Sequence, residues 1–288
     1  MSVVNTNINA SVAQAALMRN DRALGTAMEQ LSTGRKINSA GDNAAGLAIS
    51  SRMTSQINGL SAAISNANDA ISMVNTAEGA LDEITNMLQR MRELGVQAAT
   101  GTTDSADRTY LQAEFTALRT EIDRIVDNTQ WNGRNILDGS AGGSTSASTV
   151  AFGIGQDATA AQTLSTTFGN FSDSDGKLSG LASKVITGTT IASAVAVAAS
   201  AVAEIDIVIG DVSSQRATFG AVSNRLTHAV DNLTNVKTNS AAARSRVLDT
   251  DYASATSELA RTQIIQQAGT AMLAQANALP QTVLALLQ

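Results

Sequence analysis

Large apolar side chains recur every seven residues in several stretches of the chain, with other apolar residues at steps of three and four between them. This spacing places them on one face of an α-helix. In residues 8–31 the repeating residues are Leu17, Leu24 and Leu31. The same stripe contains Ile8, Val12 and Met28. We predict an amphipathic helix that ends at Gly34, followed by a polar connector.

Two further helices follow in the N-terminal half. From Met53 to Ala98 the apolar steps alternate between four and three residues, which is typical of a coiled-coil seam. Two consecutive steps of three near Gly79 predict local overwinding. The same alternation runs through 111–129, beyond a polar break at 100–107. We expect this third helix to fold back on the second.

The centre of the chain has a different character. Asn132-Gly133 is a dipeptide that tolerates positive φ at both central positions of a tight turn. Residues 139–190 are rich in Gly, Ser, Thr and Ala, and their short apolar pieces predict one β-hairpin with loops. The run STSAST at 144–149 is either a plain flexible loop or an acceptor of O-linked sugar.

The C-terminal half contains the most regular helix pattern. A row repeating every seven residues is formed by Ala198, Ile205, Val212, Phe219, Leu226 and Leu233. A neighbouring row is formed by Val195, Val202, Ile209 and Val230. A last helix begins near Asp251 and is apolar at Ile265, Ala268, Met272, Ala276, Leu279, Val283 and Leu286. Pro280 is expected to kink this helix or to begin a separate last turn.

These patterns predict a mostly α fold. Its main body is a long antiparallel coiled coil or helical bundle formed by the N- and C-terminal segments, with a small β-hairpin region in the centre. Aromatic residues are only 3% and proline occurs once, so aliphatic residues must supply the buried surface.

The terminal helices need partners. A segment of about 40 residues loses roughly 1–2 kcal/mol of backbone entropy per residue on ordering. Its few large apolar side chains return only about 1.5–3 kcal/mol each. We therefore expect both termini to be disordered in the monomer and to order as a coiled coil in a polymer of this chain. The expected polymerisation residues are Leu17, Leu24, Met28, Leu31, Ile265, Met272, Leu279 and Val283.

Composition argues against other classes of function. A net charge of -6 without a basic cluster disfavours nucleic acid binding. The chain has no cysteine, and His228 is its single histidine, so no catalytic, metal or cofactor site is expected. The apolar stretch 191–210 is interrupted by polar residues and is a poor membrane span. The N-terminus lacks the features of a cleavable signal peptide. We expect a protein that is not an enzyme.

Several blocks resemble bacterial flagellins, in the order of that family. They are VVNTNINASVAQ, LSTGRKINSAGDNAAGLAIS, NTAEGALDEITNMLQRMRELGVQAA, WNGRNILDG and ARTQIIQQAGTAMLAQANALPQTVLALLQ. The resemblance implies a structural subunit of the extracellular flagellar filament used for swimming motility, in a short form with a minimal variable region. It also implies unfolded export by the flagellar type III apparatus. The implied partners are other copies of the chain, an export chaperone on 250–288, the filament cap and the hook–filament junction proteins.

Three domains are expected on this basis. An inner-core terminal coiled-coil domain comprises 1–42 and 250–288. An outer-core helical domain comprises 43–138 and 191–249. A short variable region with the β-hairpin comprises 139–190.

The resemblance also implies recognition by the vertebrate flagellin-sensing Toll-like receptor. The matching residues are Arg90, Leu94 and Glu114, with Gln89 and Gln97 nearby. The primary role expected for this patch is a solvated helix face used for subunit contacts, with receptor recognition as a by-product. Gly95, which is expected to loosen this helix, is a departure from the family pattern.

Three other readings of the whole chain remain. One is a flagellin-like junction protein between hook and filament, which would not form long polymers. Another is a surface adhesin on the same scaffold, although the aromatic-poor centre offers little for a ligand pocket. The third is a signalling coiled coil.

Overall fold

The computed structural model describes residues 7–142, 148–155, 162–173, 176–188 and 190–286 of the 288-residue chain. The helices in these ranges are α1 (Ile8–Thr33), α2 (Ala40–Ala98), α3 (Ser105–Asn128), α4 (Ser179–Ala182), α5 (Ile191–Leu248) and α6 (Tyr252–Leu286). The strands are β1 (Gln130–Trp131), β2 (Arg134–Asn135), β3 (Thr149–Gly153) and β4 (Thr163–Thr167). The predicted mostly α fold is confirmed, with α1 and α6 packed together.

The chain divides into two compact units. The terminal unit comprises 1–57 and 238–288, and the middle unit comprises 58–237. The long helices α2 and α5 each contribute residues to both units.

Gly34 ends α1 as predicted. Its φ of 69° is left-handed, and its N–H donates to the carbonyl of Gln30 at 3.0 Å. An added Cβ would lie 3.0 Å from the hydroxyl of Tyr252, so both the backbone angle and the space favour glycine. At the other end of α1, the side chain of Asn7 accepts a hydrogen bond from the N–H of Ala10 and caps the helix.

The connectors before α2 and before α6 pair with each other in the terminal unit. The N–H of Lys36 donates to the carbonyl of Leu248 at 2.7 Å, and the N–H of Thr250 donates to the carbonyl of Gly34 at 3.0 Å. The carboxylate of Asp42 accepts from the N–H groups of Ser39 and Asn38, and these hydrogen bonds hold its pKa below its usual value. The polar connector predicted after α1 is therefore an ordered turn.

The core of the middle unit is built on the heptad row of α5. Ala198, Ile205, Val212, Phe219 and Leu226 are all fully buried. The second buried row is Ala194, Ala201, Val208, Gln215 and Val222. The neighbouring row predicted from sequence, Val195, Val202, Ile209 and Val230, is only half-buried. The two buried rows of α5 combine small alanines with larger side chains such as Ile205 and Phe219.

Gly95 of α2 lies in close contact with α5. A Cβ at this position would lie 2.7 Å from Cγ2 of Val202 on α5. Arg92, one turn earlier on α2, forms an ion pair with Asp206 of α5 at 2.7 Å. The absence of a side chain at Gly95 thus leaves room for Val202 of α5.

The central segment contains the two predicted turns. Asn132 and Gly133 have φ values of 51° and 74°, which makes the β1–β2 connection a type I′ turn. Strands β3 and β4 form the predicted antiparallel hairpin, with Thr149 opposite Thr167. Positions 144–147 of the STSAST run lie outside the described residues.

The loops of this segment belong to the same core as the long helices. Their buried residues are Phe168, Phe171, Leu178, Leu181 and Ile186. The rings of Phe168 and Phe219 lie 5.1 Å apart between centroids. Nε2 of Gln215 donates to the carbonyl of Thr167 at 2.8 Å. The sequence pattern did not reveal this anchoring.

Candidate functional site

The paired terminal helices α1 and α6 form the strongest candidate surface. Nδ2 of Asn20 donates to the carbonyl of Thr262 at 2.8 Å, and Nδ2 of Asn7 donates to the carbonyl of Ala276 at 2.8 Å. Low residue numbers of α1 therefore face high residue numbers of α6, which makes the pair antiparallel.

The seam between these helices is made mainly of small or polar residues. Ala27, Ala255 and Thr262 are buried there. Cδ1 of Leu17 lies 3.1 Å from the point where a Cβ of Gly269 would stand, so a leucine on α1 fills the space left by a glycine on α6. Leu17, Leu24 and Leu31 are each half-buried. The two helices thus contact each other mainly through their small side chains.

Large apolar residues remain on the outward faces of both helices. On α1 the exposed fractions are 60% for Ile8, 62% for Val12, 54% for Met18 and 56% for Met28. On α6 they are 66% for Ile264, 41% for Ile265 and 65% for Met272. The side chains of Leu279 and Val283 lie outside the described residues.

This geometry divides the expected polymerisation residues into two groups. The three leucines of α1 are half-buried, with Leu17 against Gly269 of α6, whereas Met28, Ile265 and Met272 are exposed. The large apolar residues that repeat along α6 lie on its outward face. The seam of α6 consists of Ala255, Thr262 and Gly269, whose small or polar side chains give little hydrophobic signal in the sequence. Exposed apolar surface of this kind is typical of protein contact sites.

The expected receptor patch is only partly on the surface. Nη2 of Arg90 on α2 lies 2.9 Å from Oε1 of Glu114 on α3, and Arg90 also pairs with Glu93 at 3.0 Å. Gln89 and Gln97 are exposed. Leu94 is only 1% exposed and lies in the core.

An acidic pair was not anticipated from sequence. The carboxylates of Asp123 of α3 and Asp173, which follows β4, interact electrostatically. Desolvation and the neighbouring carboxylate of Asp173 raise the pKa of Asp123 to about 6, while Arg119 partly opposes this rise. The two residues are 50 positions apart, so no local pattern could have connected them.

Few features of the described residues point to metal binding, histidine chemistry or a membrane span. Within the described ranges, no three His, Cys, Asp or Glu side chains are grouped so that they could hold a metal ion. His228 is exposed on α5. In the same ranges α5 is the one helix long and apolar enough to cross a membrane by length and composition. Its heptad row from Ala198 to Leu226 is buried in the core of the middle unit.

Comparison with known proteins gives consistent results. Residues 4–142 match the model of the bacterial flagellin N-terminal helical region, and residues 202–287 match that of the C-terminal helical region. The chain is 42% identical to a flagellin of Halalkalibacterium halodurans over 286 residues, covering 99% of this chain and 100% of that protein. It is 36% identical to flagellin A of Vibrio cholerae, covering 99% of each.

A solved structure adds evidence on the fold. A putative flagellar hook-associated protein from Vibrio parahaemolyticus matches with a TM-score of 0.59 and 14% sequence identity. The match covers 72% of this chain and all of that one. At this identity the likeness concerns the fold alone.

Proposed function

Because the chain belongs to the bacterial flagellin family, we propose that it assembles into the flagellar filament through its terminal helices α1 and α6. Flagellins are structural subunits of an extracellular filament that serves motility, and they are not enzymes. The proposal concerns the surface through which copies of this chain join.

The observation that carries the proposal is the outward apolar face of the α1–α6 pair. Each of Val12, Ile264 and Met272 exposes more than half of its surface. Burying such a side chain contributes about 1.5–3 kcal/mol. A second copy of the chain is the natural cover, because every copy brings the same face.

The two groups of residues have different roles in this proposal. Leu17, Leu24 and Leu31 hold α1 against α6 within one subunit. Met28, Ile265 and Met272 contact neighbouring subunits, and Leu279 and Val283 extend the same contact. The domain boundaries expected from sequence, with 1–42 and 250–288 as an inner core, are part of this proposal.

A charge substitution on the outward face tests the proposal. Ile265→Lys with Met272→Lys would place two ammonium groups in the subunit contact and should raise the critical concentration for polymerisation by at least 100-fold, on the order of 3 kcal/mol. The measurement is sedimentation of seeded polymer, with electron microscopy of the product. Gln267→Lys with Gln275→Lys is the matched control, since it adds the same charge at exposed polar positions of α6.

The outcomes are distinct. Equal loss of assembly in both double variants would show that charge, and not the apolar face, is responsible. Normal assembly of the Ile265 and Met272 variant would refute the proposal. Short or absent polymers from the unmodified protein would favour the junction-protein alternative.

Export and its partners are the next part of the proposal. We infer that the subunit leaves the cell unfolded through the flagellar type III apparatus. A chaperone would hold 250–288 before assembly, and the filament cap and junction proteins would contact the assembled subunits. Removal of 250–288 should abolish co-purification of the chaperone, whereas removal of an equal length from the centre should not.

We further infer recognition by the flagellin-sensing Toll-like receptor. Its support is the exposed Arg90–Glu114 ion pair between α2 and α3, flanked by Gln89 and Gln97. Leu94 would act only by packing beneath this face. Arg90→Ala should reduce the response of a receptor reporter cell, with Arg124→Ala as the control on α3. An unchanged response to Arg90→Ala would contradict this part of the proposal.

A further inference from the structure

The methionines of this chain fall into two groups by exposure. Met18, Met28 and Met272 expose 54%, 56% and 65% of their surface. Met73 and Met91 are buried, and Met53 and Met87 are half-buried. Met1 lies outside the described residues. Among the described residues, every exposed methionine is therefore on α1 or α6.

This distribution matters because the chain has no cysteine. Thioether sulfur is then the most readily oxidised group in the protein, and its reactivity follows access to solvent. The three exposed methionines also lie on the same helix pair whose outward face is apolar. Oxidation would thus be directed to the assembly surface.

We propose that Met18, Met28 and Met272 are the sites at which a two-electron oxidant, such as hydrogen peroxide, modifies the unassembled subunit and blocks its polymerisation. The inference rests on the function proposed above for α1 and α6. Assembly in turn shields these sulfurs by covering them with neighbouring subunits.

The chemical step is an oxygen transfer. The thioether sulfur attacks the terminal oxygen of the peroxide, the O–O bond breaks and an S–O bond forms. Sulfur loses two electrons, and the peroxide is reduced to water. The product sulfoxide is polar and chiral, which makes it a poor group for an apolar contact.

The expected weakening of the subunit contact follows from the desolvation of the sulfoxide oxygen. A sulfoxide oxygen buried in a subunit contact without a partner should weaken that contact about tenfold. Since every subunit carries the three methionines, even partial oxidation of a pool of monomers should slow assembly. The change is reversible, because methionine sulfoxide reductases restore the thioether.

The first experiment compares the rates of oxidation at individual sites. Monomer and assembled filament are treated with hydrogen peroxide, and peptide mass spectrometry measures sulfoxide at each methionine. In the monomer, Met18, Met28 and Met272 should react at least about tenfold faster than the buried Met73 and Met91. In the filament the three should become comparably slow. Equal rates at all sites of the monomer would overturn the inference.

The second experiment measures assembly before and after oxidation. The oxidised protein should show a critical concentration raised by about tenfold or more. Treatment with two methionine sulfoxide reductases, one for each epimer, should restore it. A triple variant, Met18→Leu, Met28→Leu and Met272→Leu, should show no change on oxidation. Each protein is compared with its own unoxidised form, so any effect of leucine itself on assembly cancels.

A matched variant separates these sites from the remaining methionines. Met53→Leu with Met87→Leu removes the half-buried thioethers, and this protein should stay as sensitive to peroxide as the unmodified chain. Loss of sensitivity in this variant, or its persistence in the triple variant, would refute the assignment.

Failure of the proposed function would look different. In that case oxidation of the monomer would still select the three exposed methionines, but the filament would leave them equally reactive and assembly would be unaffected.

Discussion

At the scale of single residues, buried polar groups fix the turns of the middle unit. Arg108 is only 2% exposed, and it lies at the start of α3. Its Nε donates to the carbonyl of Ala98 at 3.1 Å, and its Nη2 donates to the carbonyl of Thr100 at 2.8 Å. Ala98 is the last residue of α2 and Thr100 lies two residues beyond it. Backbone acceptors at a helix C-terminus lack helical partners, and the helix dipole there favours a cation.

Arg108→Met should therefore destabilise the protein by about 2–4 kcal/mol, since the buried carbonyl of Ala98 and the part-buried carbonyl of Thr100 lose a charged donor. Urea unfolding followed by circular dichroism would measure the loss. Arg124→Met is the control, because Arg124 forms an exposed ion pair with Glu121 on the same helix and should change stability by less than about 1 kcal/mol. A similar effect of both substitutions would argue against the capping role.

The Asp123–Asp173 pair predicts a pH dependence. The raised pKa of Asp123, about 6 against an ordinary 3.8, means that the folded state binds this proton more tightly than the unfolded state does. The stability contributed by protonated Asp123 is complete below about pH 4. It is lost as the pH rises through 6, where Asp127 adds further repulsion.

Asp123→Asn should consequently stabilise the protein at pH 8 and have little effect at pH 4. We expect a gain of roughly 1 kcal/mol, reduced by solvent screening because the site is partly exposed. Thermal unfolding across this pH range is the measurement, with Asp231→Asn on the exposed face of α5 as the control. A gain that did not depend on pH would contradict the explanation.

At the scale of helices, two glycines of α2 differ in whether packing or helix propensity should decide the effect of a substitution. Gly95 of α2 faces Val202 of α5, whereas Gly79 of the same helix has no atom within 4 Å of its missing Cβ. The β-branched side chain of Val202 has few alternative rotamers and cannot easily move aside.

Gly95→Ala should accordingly destabilise the protein by about 1–2 kcal/mol despite the better propensity of alanine. Gly79→Ala should stabilise it by about 0.5–1 kcal/mol. Val202→Ala should rescue the Gly95→Ala variant in a double-mutant cycle. If both glycine substitutions stabilise the protein equally, close packing is not the reason for Gly95.

Helix boundaries followed local signals closely. Asn43 has non-helical angles, and its Oδ1 accepts from the N–H of Gly46 at 2.8 Å, so the regular part of α2 begins there, where the polar connector was expected to end. α6 runs from Tyr252 to Leu286 across Pro280, so the separate last turn is not formed.

At the scale of the whole molecule, the terminal and middle units differ in how they are stabilised. The middle unit has a core with fully buried side chains such as Phe115 and Leu88. The α1–α6 pair has a seam of small residues and large exposed apolar ones. The terminal helices should therefore open more readily in the monomer than in the filament.

Limited trypsin digestion would test this difference. In the monomer, cleavage should occur first at Arg22 of α1 and Arg261 of α6, both exposed, and more slowly at Arg225 of α5. In the filament, Arg22 and Arg261 should become resistant. Equal resistance of both termini in the two states would contradict ordering on assembly.

Sequence periodicity was enough to identify the long helices, and local residue types identified the end of α1 at Gly34 and the turn at Asn132-Gly133. The family was identified by the resemblance of whole motifs. These features depend on residues close together in the chain, whose backbone preferences and spacing are visible directly. The heptad row from Ala198 to Leu226 was identified for the same reason.

Tertiary structure decided which face of each helix is covered. A stripe of large apolar residues indicates where burial would be favourable, but a close helix pair buries small residues. Ala194 and Ala201 are in the core while Val195 and Val202 are half-buried, and Met272 is exposed while Gly269 faces Leu17. The burial of Leu94 and the meeting of Asp123 with Asp173 depend likewise on which helix or loop lies opposite, and that partner is distant in sequence.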